Sequence, residues 1–400
     1  MTKWEEKRIN ELGQVSRGRS RHRPRDDKSL YGGQYPFIQT GDVKAAEFYL
    51  NSYSQTYNEK GLAQSKLWNK GTLCITIAAN IAETAILKMD ACFPDSIVGF
   101  IPFEKESDVR FVKYSFDMLK KEMQLASLGA TQDNFSVEKM LKFKFIVPDL
   151  PTQERIADIL SAYNDLIENN THRIELLEKA AQDLYKEWFV RFRFPNHENT
   201  KFVNGLPEGW EVKRLGEYCH VTDGTHDTPK PTDVGVPLVT GRCINSGFVD
   251  FNSAYLISEV DHEKIKKRSG LATGDILFSN IGTVGNTCLV DYSREYSVKN
   301  VIIFKPQDDI QSNYLYCLLT NSTSQEIFSA QTNGASQQFV GLTFMRRFKI
   351  MVPPKEILKS FSQIVNNLLD FKKQLNTKNQ NLKKQRDLLL PRLMSGKLEV

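Results

Sequence analysis

The chain is built from two related halves. The segment GATQDNFSVEKMLKFKFIVP, which ends at Pro148, aligns with GASQQFVGLTFMRRFKIMVP, which ends at Pro353, 205 positions later. Further upstream, GTLCITIAANIAETAILK from Gly71 aligns with GDILFSNIGTVGNTCLVD from Gly274, 203 positions later. Each copy ends in the same junction, in which a short apolar strand passes through proline into a long helix. A repeat of this length predicts that both halves adopt versions of one fold.

The first part of each copy is rich in predicted strands. Short runs of β-branched and aromatic residues, such as YPFIQT, TLCITIA, IVGFIPF and FKFIVP, are separated by Gly, Pro, Asn and Asp. Such runs are typical of strands joined by turns. Short helices are predicted between them, around residues 109–121 and 312–322. Each copy therefore begins with a small α+β module of about 150 residues.

The second part of each copy is a long helix with one apolar seam. Apolar positions recur at steps of three and four, which is typical of a coiled coil. The predicted seam of the first helix is Ile159, Tyr163, Leu166, Asn170, Ile174, Leu177, Ala181, Leu184 and Trp188. That of the second is Phe361, Ile364, Leu368, Phe371, Leu375, Leu382 and Leu389. Because each helix connects directly to a module, we expect the two to pair antiparallel, with the modules related by an approximate two-fold axis.

These patterns predict five segments. They are a first module at 1–150, a central helix at 151–192, a linker at 193–206, a second module at 207–353 and a C-terminal helix at 354–400. The predicted fold class is α+β: two tandem-repeated α/β domains separated by two long antiparallel coiled-coil helices.

Charge is unevenly distributed along the chain. The formal net charge is +5, and SRGRSRHRPR places arginine at every second position from Arg17 to Arg25. Between Lys372 and Lys397 eight basic residues accompany one acidic residue, Asp387. Clusters of this kind fit contact with phosphate backbones. The alternative for either cluster is a solvated helix face or a disordered loop.

No pattern of catalytic residues is recognisable. The sequence has no GxxxxGK[ST] phosphate loop and no Asn-Pro-Pro-aromatic tetrad of the adenine-methylating enzymes. Cys219, His220 and His226 lie close together but lack a second pair of metal ligands. We therefore predict a non-catalytic binding protein with no cofactor and no metal.

The six cysteines are scattered, without a CxxC pair, and no secretory signal or apolar membrane segment is recognisable. We expect reduced thiols and a cytoplasmic protein without a membrane partner.

Taken together, the whole chain resembles the specificity subunit of a type I restriction–modification system. The resemblance rests on LPTQERIADIL and its helix, LPEGWEVKRLGE at the start of the second module, the pair GATQDNF and GASQQF, and KQRDLLLPRLMSGKLEV at the end. It implies two target-recognition domains that read the two halves of a split, asymmetric sequence in double-stranded DNA. It also implies that the helices dock two modification subunits, which methylate adenine with S-adenosylmethionine, and that restriction subunits join this core.

Equivalent loops of the two modules are the candidates for contact with DNA, because duplicated modules that read different sequences must differ there. Arginine suits phosphate or guanine, and Asn or Gln suits adenine. The candidates in the first module are Arg17, Arg19, Arg21, Arg23, Arg25, Asn80, Thr131 and Gln132. Those in the second are Thr225, His226, Lys230, Ser279, Asn280, Thr283, Asn286, Ser336, Gln337 and Gln338. The alternative for each Asn or Gln is a side chain that stabilises a turn.

The sequence is also compatible with two other functions. A coiled-coil scaffold could assemble proteins without meeting DNA. A self-sufficient DNA enzyme is the other possibility, and the absence of catalytic motifs argues against it.

Overall fold

The computed structural model describes residues 4–127, 135–245, 247–291, 293–332 and 339–400. The chain divides into two compact units. The first comprises residues 1–171 with 377–400, and the second comprises residues 172–376. Each unit thus contains one strand-rich module and a part of each of the two long helices.

The first unit is an α+β module. Its strands are β1 (Glu5–Arg8), β2 (Gly13–Arg17), β3 (Tyr31–Phe37), β4 (Tyr49–Leu50), β5 (Gln55–Tyr57), β6 (Leu67–Trp68), β7 (Leu73–Thr76), β8 (Thr84–Leu87), β9 (Ala91–Cys92), β10 (Ile97–Pro102) and β11 (Lys144–Val147). Its helices are α1 (Ile9–Leu12), α2 (Thr40–Ala45), α3 (Glu59–Ala63), α4 (Val109–Ser127), α5 (Val137–Met140) and the start of α6 (Leu150–Tyr185).

Two sheets build this module. One has the strand order β2-β10-β7-β8-β4, the other has the order β5-β3-β9-β6, and β1 pairs separately with β11. Strands β7 and β8 are buried on both faces, which explains why their sequences LCIT and TAIL do not alternate between apolar and charged residues.

The second unit repeats this plan. Its strands are β12 (Phe202–Val203), β13 (Leu206–Pro207), β14 (Glu211–Arg214), β15 (His220–Asp223), β16 (Val236–Val239), β17 (Ile244–Asn245), β18 (Phe248–Val249), β19 (Tyr255–Ile257), β20 (Ile276–Ser279), β21 (Thr287–Leu289), β22 (Ser297–Val298), β23 (Val301–Lys305) and β24 (Lys349–Val352). Its helices are α7 (Leu215–Tyr218), α8 (Glu259–Ser269), α9 (Asp309–Thr320), α10 (Ser322–Thr332), α11 (Leu342–Arg347) and the start of α12 (Lys355–Met394).

The duplication predicted from the sequence is confirmed by the strand register. Strand β1 pairs with β11 from Glu5 opposite Val147, and β14 pairs with β24 from Glu211 opposite Val352. A short helix follows in each copy. A carboxylate of its first turn accepts a hydrogen bond from the preceding backbone: Arg8 N donates to Glu11 at 2.6 Å, and Arg214 N donates to Glu217 at 3.0 Å. The same local signal therefore starts the same element twice.

The end of the chain completes the core of the first unit. Leu393 and Met394 are buried in the cluster that also contains Ile9 and Leu12. Gly396 lies against the ring of Trp4, where a Cβ atom would come within 2.7 Å of the indole nitrogen. The first module is thus closed by residues from the far end of the sequence.

The two long helices pair antiparallel within each unit. In the first unit, the amide of Asn170 on α6 donates to the carbonyl oxygen of Asn379 on α12 at 2.9 Å. In the second, Lys372 of α12 forms an ion pair with Glu178 of α6 at 2.5 Å. A later position on α6 thus meets an earlier position on α12, which is the direction predicted from the sequence.

The predicted seam is wrong at several positions. Ile159 and Leu166 of α6 are 38% and 48% exposed, whereas Leu160 and Ile167 are buried. On α12, Ile364 and Phe371 are exposed, and Val365 and Lys372 are buried in their place. The reason is that each helix packs on its module as well as on its partner. Leu160, for example, belongs to the core of the first module, so the buried face is not set by a coiled-coil seam alone.

We predict that Asn170→Ala lowers the free energy of unfolding by about 1–3 kcal/mol, because the buried carbonyl oxygen of Asn379 then loses its donor. Asn169 is exposed one residue earlier on the same helix, and Asn169→Ala should change stability by less than about 0.5 kcal/mol. Urea unfolding of both variants measures the difference. Equal losses in the two variants would contradict a stabilising role for the buried pair.

Candidate nucleic-acid interface

In the first unit, two loops meet at one end of the five-stranded sheet. Residue Ile97 begins β10 and pairs with Thr76 at the end of β7. On its other side, the carbonyl of Ile97 accepts a hydrogen bond of 2.8 Å from the N–H of Gly18. The arginine-rich segment that leaves β2 and the connection between β7 and β8 therefore flank the same strand. We call this end of the sheet the loop edge.

The second unit has the same loop edge. Residue Val301 begins β23 and pairs with Ser279 at the end of β20. Its carbonyl accepts a hydrogen bond of 2.9 Å from the N–H of Gly224. Thr225 and His226 follow directly, so the loop after β15 and the connection between β20 and β21 lie side by side. In each unit, the fold brings together candidate residues that lie about 50 or more positions apart in sequence.

The five arginines of the first module are all exposed but make different contacts. Arg19 donates from Nε to the carbonyl of Ser65 at 2.7 Å, and Arg23 donates to the carbonyls of Ser20 and His22, both at 2.8 Å. Arg25 forms an ion pair with Asp95 at 2.7 Å. These three arginines hold their own loop in place.

Arg17 and Arg21 are different. Within the described residues, neither guanidinium group makes a hydrogen bond or an ion pair. Exposed guanidinium groups without an internal partner are the ones available for phosphate oxygens. Arg17 also lines a cavity of about 230 Å³ together with Arg25 and Ala78, which joins the arginine-rich segment to the connection between β7 and β8. Asn80 lies two residues after Ala78, and its side-chain oxygen accepts a hydrogen bond of 3.1 Å from Lys44 Nζ.

Several candidates in the second module already make hydrogen bonds within the protein. The Ser279 hydroxyl is buried and lies 3.2 Å from that of Thr283. Asn280 donates to the carbonyl of Val340 at 3.2 Å, and Asn286 donates to that of Ile244 at 2.8 Å. Thr283 is the exposed member of the set. The predicted contact residues Thr131, Gln132, Ser336, Gln337 and Gln338 lie outside the described residues.

The backbones of the two connections are alike although their sequences differ. Ala79 and Gly282 both have positive φ, at 62° and 76°, and Ala82 and Gly285 both have positive φ, at 60° and 100°. The left-handed conformation favours glycine, so the alanines in the first copy are strained. The two loop edges therefore present different side chains on the same framework.

His226 belongs to a polar network at the second loop edge. Its Nε2 atom lies 2.8 Å from a carboxylate oxygen of Asp223, and its Nδ1 atom lies 3.0 Å from the side-chain oxygen of Asn300. Arg268 also contacts Asp223, at 2.9 Å. The Thr225 hydroxyl is buried and accepts from the N–H of Asp227 at 3.1 Å. Lys230 is exposed in the following loop, and in the described residues no hydrogen bond connects it to the others.

A second polar surface in the first unit was not predicted from the sequence. Gln39 and Gln55 line a cavity of about 550 Å³ that adjoins the loop edge through Arg25 and Ser96. The repeat does contain one indication of this surface. The segment YPFIQTGDV aligns with VPLVTGRCI only if Gln39 is left out. A residue present in one copy and absent from the other marks a place where the modules diverge.

Neither a metal site nor a membrane span is found in the part of the chain that the structure describes. No three His, Cys, Asp or Glu side chains are grouped so that they could hold a metal ion. No helix combines the length and the apolar character needed to cross a bilayer.

Comparison with known proteins places these observations in a family. Residues 1–179 and 207–384 match the model of the type I restriction modification DNA specificity domain. The chain is 27% identical to the type I restriction enzyme MjaIX specificity subunit of Methanocaldococcus jannaschii, over 99% of this chain and 94% of that protein. It is 23% identical to the HindI specificity subunit of Haemophilus influenzae, over the full length of both.

A solved structure has a similar fold. The type I restriction–modification system S subunit from M. genitalium superposes with a TM-score of 0.59 at 16% identity, covering 98% of this chain and 96% of that one. Since the two family matches fall one on each copy of the repeat and together span most of the sequence, the chain belongs to the type I restriction modification DNA specificity domain family.

Proposed function

We propose that the chain reads a split, asymmetric sequence in double-stranded DNA, one half with each module, as the specificity subunit of a type I restriction–modification complex. The observation that carries this proposal is the pair of loop edges. Both are built on the same backbone framework, and they carry different side chains. Two modules with the same backbone and different side chains at their loop edges suit the recognition of two different half-sites. The chain is the non-catalytic member of the complex.

We further propose that the long helices dock two copies of a modification subunit, and that restriction subunits join this core. The exposed apolar pair Ile159 and Leu166 lies on one face of α6, seven residues apart. The pair Ile364 and Phe371 occupies the equivalent positions of α12, 205 residues later, and is also exposed. Equivalent apolar pairs on two repeated helices suit two copies of one partner.

The complex is proposed to work in the cytoplasm. All six cysteines are buried and free, as is common where thiols are kept reduced.

The direct test of this function is to identify the sequence that the complex methylates. The chain is co-expressed with the modification subunit of its own system in a host without adenine methyltransferases, and methylated adenines are mapped by long-read sequencing. We expect one motif with two defined parts and an undefined gap. Replacing residues 1–150 by the first module of another family member should change one part only. Unmethylated DNA, or a motif without a gap, would contradict the proposal.

Docking is tested by placing charges on the apolar pairs. We expect Ile159→Asp with Leu166→Asp to remove one modification subunit, and the same changes at Ile364 and Phe371 to remove the other, because a buried carboxylate without a partner is costly. Native mass spectrometry of the purified complex counts the subunits. Asn169→Asp adds the same charge to an exposed position of α6 and should leave both bound. Unchanged stoichiometry in the paired variants would place docking elsewhere.

The two classes of arginine give a further prediction. Arg21→Ala should weaken binding of the complex to all DNA sequences alike and reduce the slope of log affinity against log salt by about 0.9, the value for one phosphate contact. Arg19→Ala should instead lower the stability of the chain by about 1–3 kcal/mol, because the buried carbonyl of Ser65 loses its donors. Salt titrations and thermal unfolding separate the two effects. A sequence-dependent loss on Arg21→Ala would identify a base contact instead.

A further inference from the structure

A cavity of about 550 Å³ lies in the first unit next to its loop edge. Aromatic side chains and amides form much of its wall. The lining residues on which the inference rests are Lys28, Phe37, Gln39, Gln55 and Tyr57. None of the cavity residues other than Arg25 is among the DNA contacts predicted from the sequence. A concave surface of this volume with a few polar groups is typical of a binding site.

Two glutamines of this cavity are joined to each other. Strand β3 pairs with β5, with Phe37 opposite Gln55, and Gln39 follows two residues after Phe37. The Gln39 amide donates from Nε2 to the carbonyl oxygen of Gln55 at 2.7 Å. We call these two residues the glutamine pair. The hydrogen bond holds both side chains in one arrangement, which lowers the entropy cost of binding a ligand.

The glutamine pair keeps hydrogen-bonding capacity after this contact. The bond uses one N–H of Gln39 and one lone pair of Gln55, so the carbonyl oxygen of Gln39 can still accept and the NH₂ group of Gln55 can still donate. Rotating both amides by 180° exchanges these roles and leaves the same complement of one acceptor and one donor. Gln55 is exposed and Gln39 is half-buried, so both can reach a ligand.

The surroundings of the pair suit a nucleotide. Lys28 is an exposed cation of the wall, next to Asp26, whereas the guanidinium group of Arg25 is already paired with Asp95. Phe37 stacks on Tyr57 with ring centroids 4.0 Å apart. An exposed lysine beside the glutamine pair suits a DNA phosphate next to the base that the pair contacts.

One buried hydroxyl of this wall lacks a partner. Tyr57 is fully buried, and its hydroxyl makes no hydrogen bond in the described residues. The neighbouring Tyr31 hydroxyl donates to the carbonyl of Arg25 at 2.7 Å. Burial is the main cause, and the nearby Tyr57 the second cause, that raises the pKa of Tyr31 to about 12. The Tyr31 and Tyr57 hydroxyl groups do not form a hydrogen bond with each other. A buried polar group without a partner is unusual unless a ligand or water supplies one.

The second module has equivalent strands with other residues at the positions of the glutamine pair. Strand β16 pairs antiparallel with β19, with Leu238 opposite Tyr255, as Phe37 lies opposite Gln55. The tyrosine therefore takes the place of Gln55, and Gln39 has no counterpart in the aligned sequence. Phosphate contacts are needed in both modules, whereas base contacts must differ between them. The glutamine pair is present in one module and replaced in the other, as expected for residues that contact bases.

We propose that the glutamine pair reads an adenine in the half-site of the first module. In the major groove, adenine presents an N6 amino donor beside the N7 acceptor, which match the Gln39 carbonyl and the Gln55 amide. Guanine presents two acceptors, O6 and N7, and places O6 against the Gln39 carbonyl. The proposal rests on the proposed function, since it needs a chain that reads DNA.

The test uses the complete complex with its modification subunit and the methylated motif as readout. Gln39→Ala and Gln55→Ala are compared with the wild type and with Gln34→Ala, an exposed glutamine of β3 that does not line the cavity. We expect both cavity variants to lose about tenfold or more of the discrimination at one A·T position of the first half-site. The cavity variants should still recognise the second half-site, which would show that they are folded and assembled. Gln34→Ala should leave the whole motif unchanged.

The outcomes separate the two proposals. If the wild-type complex methylates no bipartite motif, the proposed function fails. If the wild-type motif is bipartite and both cavity variants keep it unchanged, the glutamine pair does not read a base. Relaxation at a G·C position, or weaker methylation of all sites alike without relaxation, would also overturn the inference. A second test is Gln55→Glu, which replaces the donor to N7 by acceptors and should reduce methylation at the adenine-containing motif.

Discussion

The antiparallel pairing of α6 and α12 is the constraint on which both units depend. Each unit takes part of its core from both helices, so neither unit is complete without the pair. Polar contacts hold the pairing at defined positions: a buried amide pair in the first unit, and in the second Lys372, which is buried against Glu178 and the Tyr316 hydroxyl. A shift of one helix along the other would leave these groups buried without partners, which costs more than misaligned apolar residues. The polar contacts therefore select one register.

Much of the fold follows from the repeat. Once two copies at an offset of about 205 residues are recognised, the strand runs, the short helices and the direction of the long helices can be predicted from local patterns. The buried face of each long helix could be predicted only in part: Ile174 and Ala181 are buried as predicted, and Ile159 is not. Ile159 and Leu160 are both apolar, and only the position of the module decides that Leu160 enters the core. The apolar periodicity of a helix gives no information about which neighbouring surfaces pack against it.

The candidate interface was predictable as a set of loops and not as a set of contacts. The alternation of five arginines marks a basic segment, but the sequence does not show that Arg19, Arg23 and Arg25 already have partners in the fold. Gln39 was placed in a predicted strand run and so was not considered as a contact. Its significance depends on Gln55, which lies 16 residues away and becomes its neighbour only when β3 and β5 pair.

The closing of the first core by Leu393 and Met394 has a consequence for synthesis. The ribosome must produce the 205 residues of the second unit, 172–376, before residues 377–400 can return to the first module. At about 5–20 residues per second this takes about 10–40 s. During that time the core of the first module lacks Leu393 and Met394. A chain that stops before Leu393 never acquires these two residues, so the core of the first module is complete only after translation has passed Met394.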